Sequence, residues 1–212
     1  MHRNSRLLFE KYARPYFTPE VRVLEIGPDR DPSTYLTLAG GSVAAWDTLD
    51  FAARTDIALT YRSESEYDFP VPSDAYDLVF SAQVIEHVRK PWRWMPELAR
   101  VCRPGGVVIT INPVSWHYHE SPVDCWRIYP EGMRALSEDA GLEVILSEWG
   151  SMEMEGLQRR LPRLARKQQV LQRFSGVLGM MNALVRFPVE GAYDTVTVSR
   201  KIADAPRSPS SA

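Results

Sequence analysis

The 212 residues, 24.1 kDa in all, fit one domain or one domain with an elaboration, long enough to bury a sizeable core. With 44% hydrophobic and 25% charged residues the composition is that of an ordinary globular protein, and a net charge of -2 excludes a global attraction to nucleic acid or to an acidic membrane. Two cysteines, Cys102 and Cys125, build no disulfide framework or zinc site, and no run of about 18 apolar residues is present to span a bilayer. The opening residues lack a secretory apolar run, so a reducing, cytoplasmic setting is expected.

Residues 4–14 place Leu7, Leu8, Tyr12 and Ala13 at helical spacing, and Pro15 ends the segment. Tyr12, Tyr16 and Phe17 then precede the first strand, where they either fold over a ligand crevice as a lid or pack against the core; Tyr12 and Tyr16 are carried forward as candidate acceptor contacts. Residues 21–26 read as a buried parallel strand that stops at Gly27 and Pro28. Glycine at such a turn lets backbone approach a ligand, and Glu25 is expected to point its carboxylate into the crevice at the strand's carboxyl end.

A second strand is predicted over residues 42–49, followed by Asp50 and Phe51. An acidic residue roughly 20 positions after the glycine turn is where α/β folds accept the ribose hydroxyls of an adenosine. Asp47 and Asp50 both fall in that window, and Asp50 is preferred because Asp47, inside the strand, is costly to desolvate. Residues 54–73 are polar, contain Pro70 and Pro72, and read as a helix remnant plus loop; Glu64, Glu66, Asp68 or the backbone around Phe69 could meet an adenine amino group.

Another strand over residues 77–82 runs into Gln83, Glu86 and His87, then a helix over 92–102 with Trp94, Met95, Leu98 and Val101 on one face. Arg103, Pro104, Gly105 and Gly106 stop that helix before a strand over 107–112. Alternating strands and helices with short turns predict a doubly wound, mostly parallel sheet.

The stretches 23–28 (Val-Leu-Glu-Ile-Gly-Pro), 48–50 (Thr-Leu-Asp), 76–88 (Tyr-Asp-Leu-Val-Phe-Ser-Ala-Gln-Val-Ile-Glu-His-Val), 97–106 (Glu-Leu-Ala-Arg-Val-Cys-Arg-Pro-Gly-Gly) and 138–144 (Glu-Asp-Ala-Gly-Leu-Glu-Val) stand in sequence. In order and spacing they resemble the class I S-adenosylmethionine-dependent methyltransferases, specifically the small type 11 group. The resemblance implies a Rossmann-like seven-stranded sheet with its last strand antiparallel, residues 141–146 and 195–201 being the sixth and seventh strands. It also implies S-adenosylmethionine as cofactor and S-adenosylhomocysteine as product, held at Glu25, Gly27, Pro28, Asp50, Phe51, Phe69, Ser81, Ala82 and Gln83. Where many relatives have two further glycines, this chain has Asp29, Arg30 and Asp31, a stiffer and more polar loop in which Arg30 is placed to meet a methionine carboxylate.

Methyl transfer to oxygen or nitrogen is an in-line displacement helped by alignment, by water exclusion and, for a protonated nucleophile, by a base. His117, His119 and His87 are the candidates, with His87 read as more structural than catalytic. Near Glu120 and Asp124 the His117–His119 spacing also fits a metal, but too weakly to assign one. Asp124, Trp126, Arg127 and Tyr129 form a polar and aromatic cluster suited to a hydroxylated acceptor, or else an Asp124–Arg127 pair that pins the loop.

Residues 1–202 are thus expected to be one methyltransferase domain with a helical insertion at about 151–190, and 203–212 a disordered tail. Residues 158–173 are basic and 174–189 apolar and Met-rich. They read first as a dimerisation arm or cap over the acceptor, then as a peripheral contact with anionic lipid or a phosphorylated carrier, and otherwise as a packed helix. The expected activity is O-methylation of a small-molecule or glycan-type acceptor in small-molecule biosynthesis, without nucleic acid. The alternatives are an inactive cofactor-binding protein that docks a partner through the insertion and, more distantly, a nicotinamide oxidoreductase.

Overall fold

The apolar run starting at residue 21 forms β1 (Arg22–Ile26) in the computed structural model, which describes residues 3–41, 43–51, 53–120, 123–152 and 192–202. β1 pairs in parallel with β2 (Ala45–Phe51) on one side and with β4 (Tyr76–Ala82) on the other. Beyond β2 lies β3 (Tyr61–Ser63); beyond β4 come β5 (Cys102–Ser115), β7 (Tyr193–Lys201) and β6 (Leu142–Gly150), giving the order β3-β2-β1-β4-β5-β7-β6. β7 runs antiparallel to both its neighbours, as expected of the seventh strand, and its register with β6 extends from Leu142↔Lys201 to Gly150↔Asp194. The strand order reverses between β1 and β4, which opens a crevice at their carboxyl ends.

Alternation along β1 divides the core. Leu24 and Ile26 join a cluster with α3 (Pro91–Val101) and α4 (Pro130–Asp139), while Val23 joins one beneath α1 (Arg3–Leu8) and α2 (Thr34–Ala39). Trp94, Met95, Leu98 and Val101 are buried on the predicted face of α3. Ser33 caps α2 by accepting the Leu36 N–H at 2.9 Å, and Gly40 ends it in the left-handed region.

Four local expectations change. Residues 54–73 hold no helix among those described; instead Tyr61–Ser63 adds the short strand β3, whose three residues are too few to show an alternating pattern. The helix expected over 4–14 is α1, then a wider π-helical turn (Phe9–Ala13), then a 3-10 turn (Arg14–Tyr16) that accommodates Pro15. α2 lies in a stretch between Pro32 and Gly40 that shows no full helical period. β5 begins at Cys102 and not at residue 107, with an irregularity opposite Tyr76 and Leu78 that takes up residues 103–106. The insertion beyond Met152 and the tail at 203–212 lie outside the described residues. Among the described residues no helix is long and apolar enough to cross a membrane.

Candidate active site

Gly27 turns the chain out of β1 with φ of +71°, and a Cβ added there would stand 2.4 Å from Val84 Cγ2. Its N–H donates to the Leu49 carbonyl at 2.9 Å, so the turn is tied to the last residues of β2, which include Asp50 and Phe51 where the strand was expected to stop at residue 49. Ile26, Gly27, Leu49, Asp50, Phe51, Phe69, Val84, Val88 and Trp94 line an apolar slot of about 40 Å³. It shares Asp50, Phe51, Ser65 and Glu66 with a wider cavity of about 1090 Å³ that Arg54, Tyr67, Arg89 and Lys90 also line.

Of the residues predicted to hold a cofactor, Gly27, Asp50, Phe51 and Phe69 line these two spaces, and Pro28, Ser81, Ala82 and Gln83 do not. Asp50 Oδ2 accepts from Arg54 Nη1 at 2.9 Å, and the same guanidinium reaches the Pro28 and Asp29 carbonyls at 2.5 and 3.0 Å. Any ligand hydroxyl at Asp50 would therefore share that carboxylate with Arg54. Asp47 is committed elsewhere, accepting from the Tyr76 hydroxyl at 2.8 Å. Phe69 lines the slot while its N–H donates to Glu97 and its carbonyl accepts from Arg100, so the Phe69 backbone offered for an adenine is already engaged.

Glu25 is also a correction. It projects to the opposite side of the sheet from Ile26, is 2% exposed, and accepts from Trp46 Nε1 at 2.9 Å instead of facing the crevice. Burial pushes its carboxyl up to about 7, against the lowering effect of Ser33 and Trp46. In the loop that lacks the extra glycines, Asp29 accepts from the Thr34 N–H and hydroxyl at 2.9 and 2.6 Å, so the carboxylate braces the start of α2. Arg30 lines a separate space of about 300 Å³ with Asp31, Trp46 and Thr48, away from Asp50.

The segment after β4 carries other duties. Ser81 Oγ lies 3.4 Å from the Ile26 carbonyl, and Gln83, at φ +59°, donates to Asp194 Oδ1 at 3.1 Å. Asn4 donates to the other oxygen of Asp194 at 2.6 Å, fastening α1 to the sheet. Tyr12 donates to Glu148 Oε2 at 3.0 Å, and both Tyr12 and Tyr16 pack against the core beneath α1; neither lines the crevice, so the lid expectation fails in favour of packing.

Across the crevice, the loop after β5 is stapled to the 3-10 turn Ile85–His87. Cys125 N–H donates to the Glu86 carbonyl at 2.7 Å and Trp126 Nε1 to the Val88 carbonyl at 2.9 Å. Arg127 forks onto Asp124 at 2.5 and 2.7 Å and reaches the Trp116 and His117 carbonyls, so the pair pins the loop. Those Arg127 bonds hold the Asp124 carboxyl down at about 2. His87 and His119 meet edge to face, with ring centroids 5.1 Å apart, while the His117 ring stands 6.2 Å from that of His119. Burial lowers the pKa of His87, although its Nδ1 lies 2.5 Å from the Val123 carbonyl. Glu86, fully covered, is pushed up to about 8 by burial, offset by its own backbone amide and by Arg127.

A family model described as a methyltransferase domain matches residues 34–110, which span β2 to most of β5. Over those residues the chain is similar to the methyltransferase domain family. An uncharacterized methyltransferase of Mycobacterium avium (strain 104) is 33% identical over 98 residues, 46% of this chain and 33% of that protein, so the likeness covers only part of each. Among solved structures, a SAM-dependent methyltransferase from Archaeoglobus fulgidus superposes with a TM-score of 0.59 at 15% identity, covering 92% of both chains. Phosphoethanolamine N-methyltransferase 2 of Haemonchus contortus, in complex with S-adenosyl-L-methionine, gives 0.56 at 15% identity over 95% of this chain and 53% of that one. At such identities the structural likeness speaks for the fold.

Arg54, Tyr67, Arg89 and Glu86 are site residues that sequence reasoning did not assign, whereas Glu66, one of the acids offered for an adenine amino group, does line both spaces. A Glu66–Arg89 pair at 2.9 Å borders the wide cavity, and its partners are 23 positions apart with no periodic signal between them. Glu86 did have a signal, an acid embedded in the apolar Val84-Ile85 and Val88 context, but its burial depends on a loop more than 30 residues away.

Proposed function

We propose that this methyltransferase domain binds S-adenosylmethionine in the crevice between β1, β2 and β4 and transfers its methyl group to a hydroxyl of a small-molecule or glycan-type acceptor. The observation that carries the reading is the convergence of Gly27, Asp50 and Phe51 on one slot at the strand-order reversal. An apolar slot suits an adenine ring, and a carboxylate at its edge suits the vicinal hydroxyls of a ribose. The cofactor named with the Haemonchus contortus structure and the methyltransferase names of the relatives support the same assignment.

The acceptor would approach from the loop after β5, where Trp116, His117 and Tyr118 are presented and Tyr118 is 68% exposed. In-line attack at roughly 3 Å, with water kept out, supplies most of the rate, and the exposed His117 is the base in this reading. Residues 158–189 belong to the proposal as a cap over the acceptor or a dimerisation arm.

Calorimetry with S-adenosylhomocysteine is the direct test. Binding should be stoichiometric, and Asp50→Ala should weaken it by more than about 10-fold, the worth of a charge-assisted contact. No binding by the unaltered chain would remove the proposal. Mass spectrometry of products from a metabolite extract incubated with S-adenosylmethionine would then identify the acceptor.

A further inference from the structure

Glu86 is 0% exposed, and apart from its own backbone amide neither of its carboxylate oxygens has a hydrogen-bond partner among the described residues. A carboxyl group taken out of water with no other side chain hydrogen-bonded to it is costly, and a bound ion is one thing that completes such a group. Around it the fold gathers two imidazoles. His87 follows it in the 3-10 turn after β4, and His119 comes from the loop after β5. One ligand atom from each of Glu86, His87 and His119 can be chosen so that all three lie within 4.8 Å of one another.

The histidines are oriented as metal ligands are. His87 Nδ1 lies 2.5 Å from the Val123 carbonyl, so it carries the proton and leaves the Nε2 lone pair free, 3.8 Å from Glu86 Oε1. His119 Nδ1 stands 3.2 Å from the His117 carbonyl and 3.4 Å from Asp124 Oδ2, partners that favour the proton on Nδ1 and leave Nε2 as the lone-pair nitrogen. Asp124 also accepts the His119 N–H at 2.8 Å and is held by Arg127, so a backbone carbonyl and a fixed carboxylate stand behind the two rings. Each ring thus has the outer partner that sets tautomer and direction in metal sites.

We propose that Glu86, His87 and His119 bind one divalent first-row metal ion, such as Zn²⁺ or Mn²⁺. Two imidazoles and one carboxylate are a ligand set these ions accept, and three protein ligands leave at least one position for an outside oxygen. Ligand atoms around one ion at about 2.1 Å stand roughly 3 to 3.5 Å apart, so the three groups draw together by about 1 Å on binding. That is within reach of small side-chain rotations at His119, which is partly exposed.

The open position takes a hydroxyl oxygen of the acceptor; this use rests on the methyl-transfer reading, whereas the ion's binding does not. An acceptor hydroxyl at that position would give its proton to His117, the base of that reading, as its oxygen forms a bond to the methyl carbon. The carbon–sulfur bond breaks with its electron pair going to sulfur. His87 and His119, with their lone pairs given to the ion, serve as ligands and not as bases.

The test is calorimetric titration of the chelator-stripped full chain with Zn²⁺ and with Mn²⁺. One equivalent of at least one ion should bind, and Glu86→Gln and His119→Ala should each weaken it by at least about 10-fold, whereas His117→Ala leaves it unchanged. S-adenosylhomocysteine binding, measured on the same samples, should survive in all three variants and reports that they are folded. If Glu86→Gln does not fold, His119→Ala in the loop decides alone. Absence of stoichiometric binding of both ions, or binding untouched by the substitutions, overturns the site. Metal binding as expected without S-adenosylhomocysteine binding would instead strike the methyl-transfer reading.

Discussion

Gly27→Ala perturbs the turn at two separable levels. The backbone there has φ of +71°, where a residue with a Cβ pays roughly 1–2 kcal/mol. The new Cβ would also stand 2.4 Å from Val84 Cγ2, against an ordinary carbon–carbon contact of about 3.5–4.0 Å, so the valine must withdraw by about 1 Å from a slot it helps to line. Overpacking of that kind costs about 1–3 kcal/mol, for a sum of about 2–5 kcal/mol. Val84→Ala keeps only the Cβ, which sits at 3.6 Å and does not clash, so the double variant should regain the overpacking part and keep the backbone part. Urea unfolding of the four proteins measures the coupling, expected at about 1–3 kcal/mol in favour of the double variant. Additivity within about 0.5 kcal/mol would show that the glycine is required by conformation alone and that the contact with Val84 does not matter.

Three further outcomes follow from buried or paired groups. Burial raises the Glu25 carboxyl from 4.5 to about 7, so the folded chain holds a proton that the unfolded chain releases across that window. Stability contributed by this group is therefore full below about pH 4.5 and declines by about 3 kcal/mol as pH rises to 7; Glu25→Gln should flatten this part of the pH–stability curve, measured by denaturant titration. Arg127→Ala strips Asp124, whose side chain is 1% exposed, of its forked partner and should cost about 2 kcal/mol by the same assay, with Arg127→Lys restoring only part of it. Of the two thiols, Cys125 is exposed and Cys102 is buried and pushed up to about 12, so a thiol reagent should modify one cysteine in the folded chain and both after unfolding.

What the sequence made legible was whatever depends on local period and turn chemistry. The strand ending at Gly27, the acid at the end of β2, and the apolar face of α3 with Trp94, Met95 and Leu98 all announce themselves within a dozen residues. β3 did not, because three residues cannot display a period and its pairing with Leu49–Phe51 is a long-range event. Glu25 was placed on the wrong face because its position at a strand end outweighed simple alternation from Leu24 and Ile26. Arg54 and the Glu86–His87–His119 group escaped for one reason: their partners come from separate connections, and side-chain convergence across loops leaves no mark on spacing. His119, of the His117–His119 pair, comes together with Glu86 and His87 from the turn after β4, a grouping that the local spacing with Glu120 does not reveal.

The end of the β6–β7 ladder has an engineering meaning. Gly150 and Asp194 are opposed in register, and Tyr193 lies against Ser115, so the chain leaves and re-enters the sheet at one corner, beside the loop that carries His117 and His119. That corner is a socket. All seven strands pair among the described residues without the stretch between Met152 and Ala192. Chimeras cut at those two positions would inherit their cofactor half from one parent and whatever the exchanged segment governs from the other.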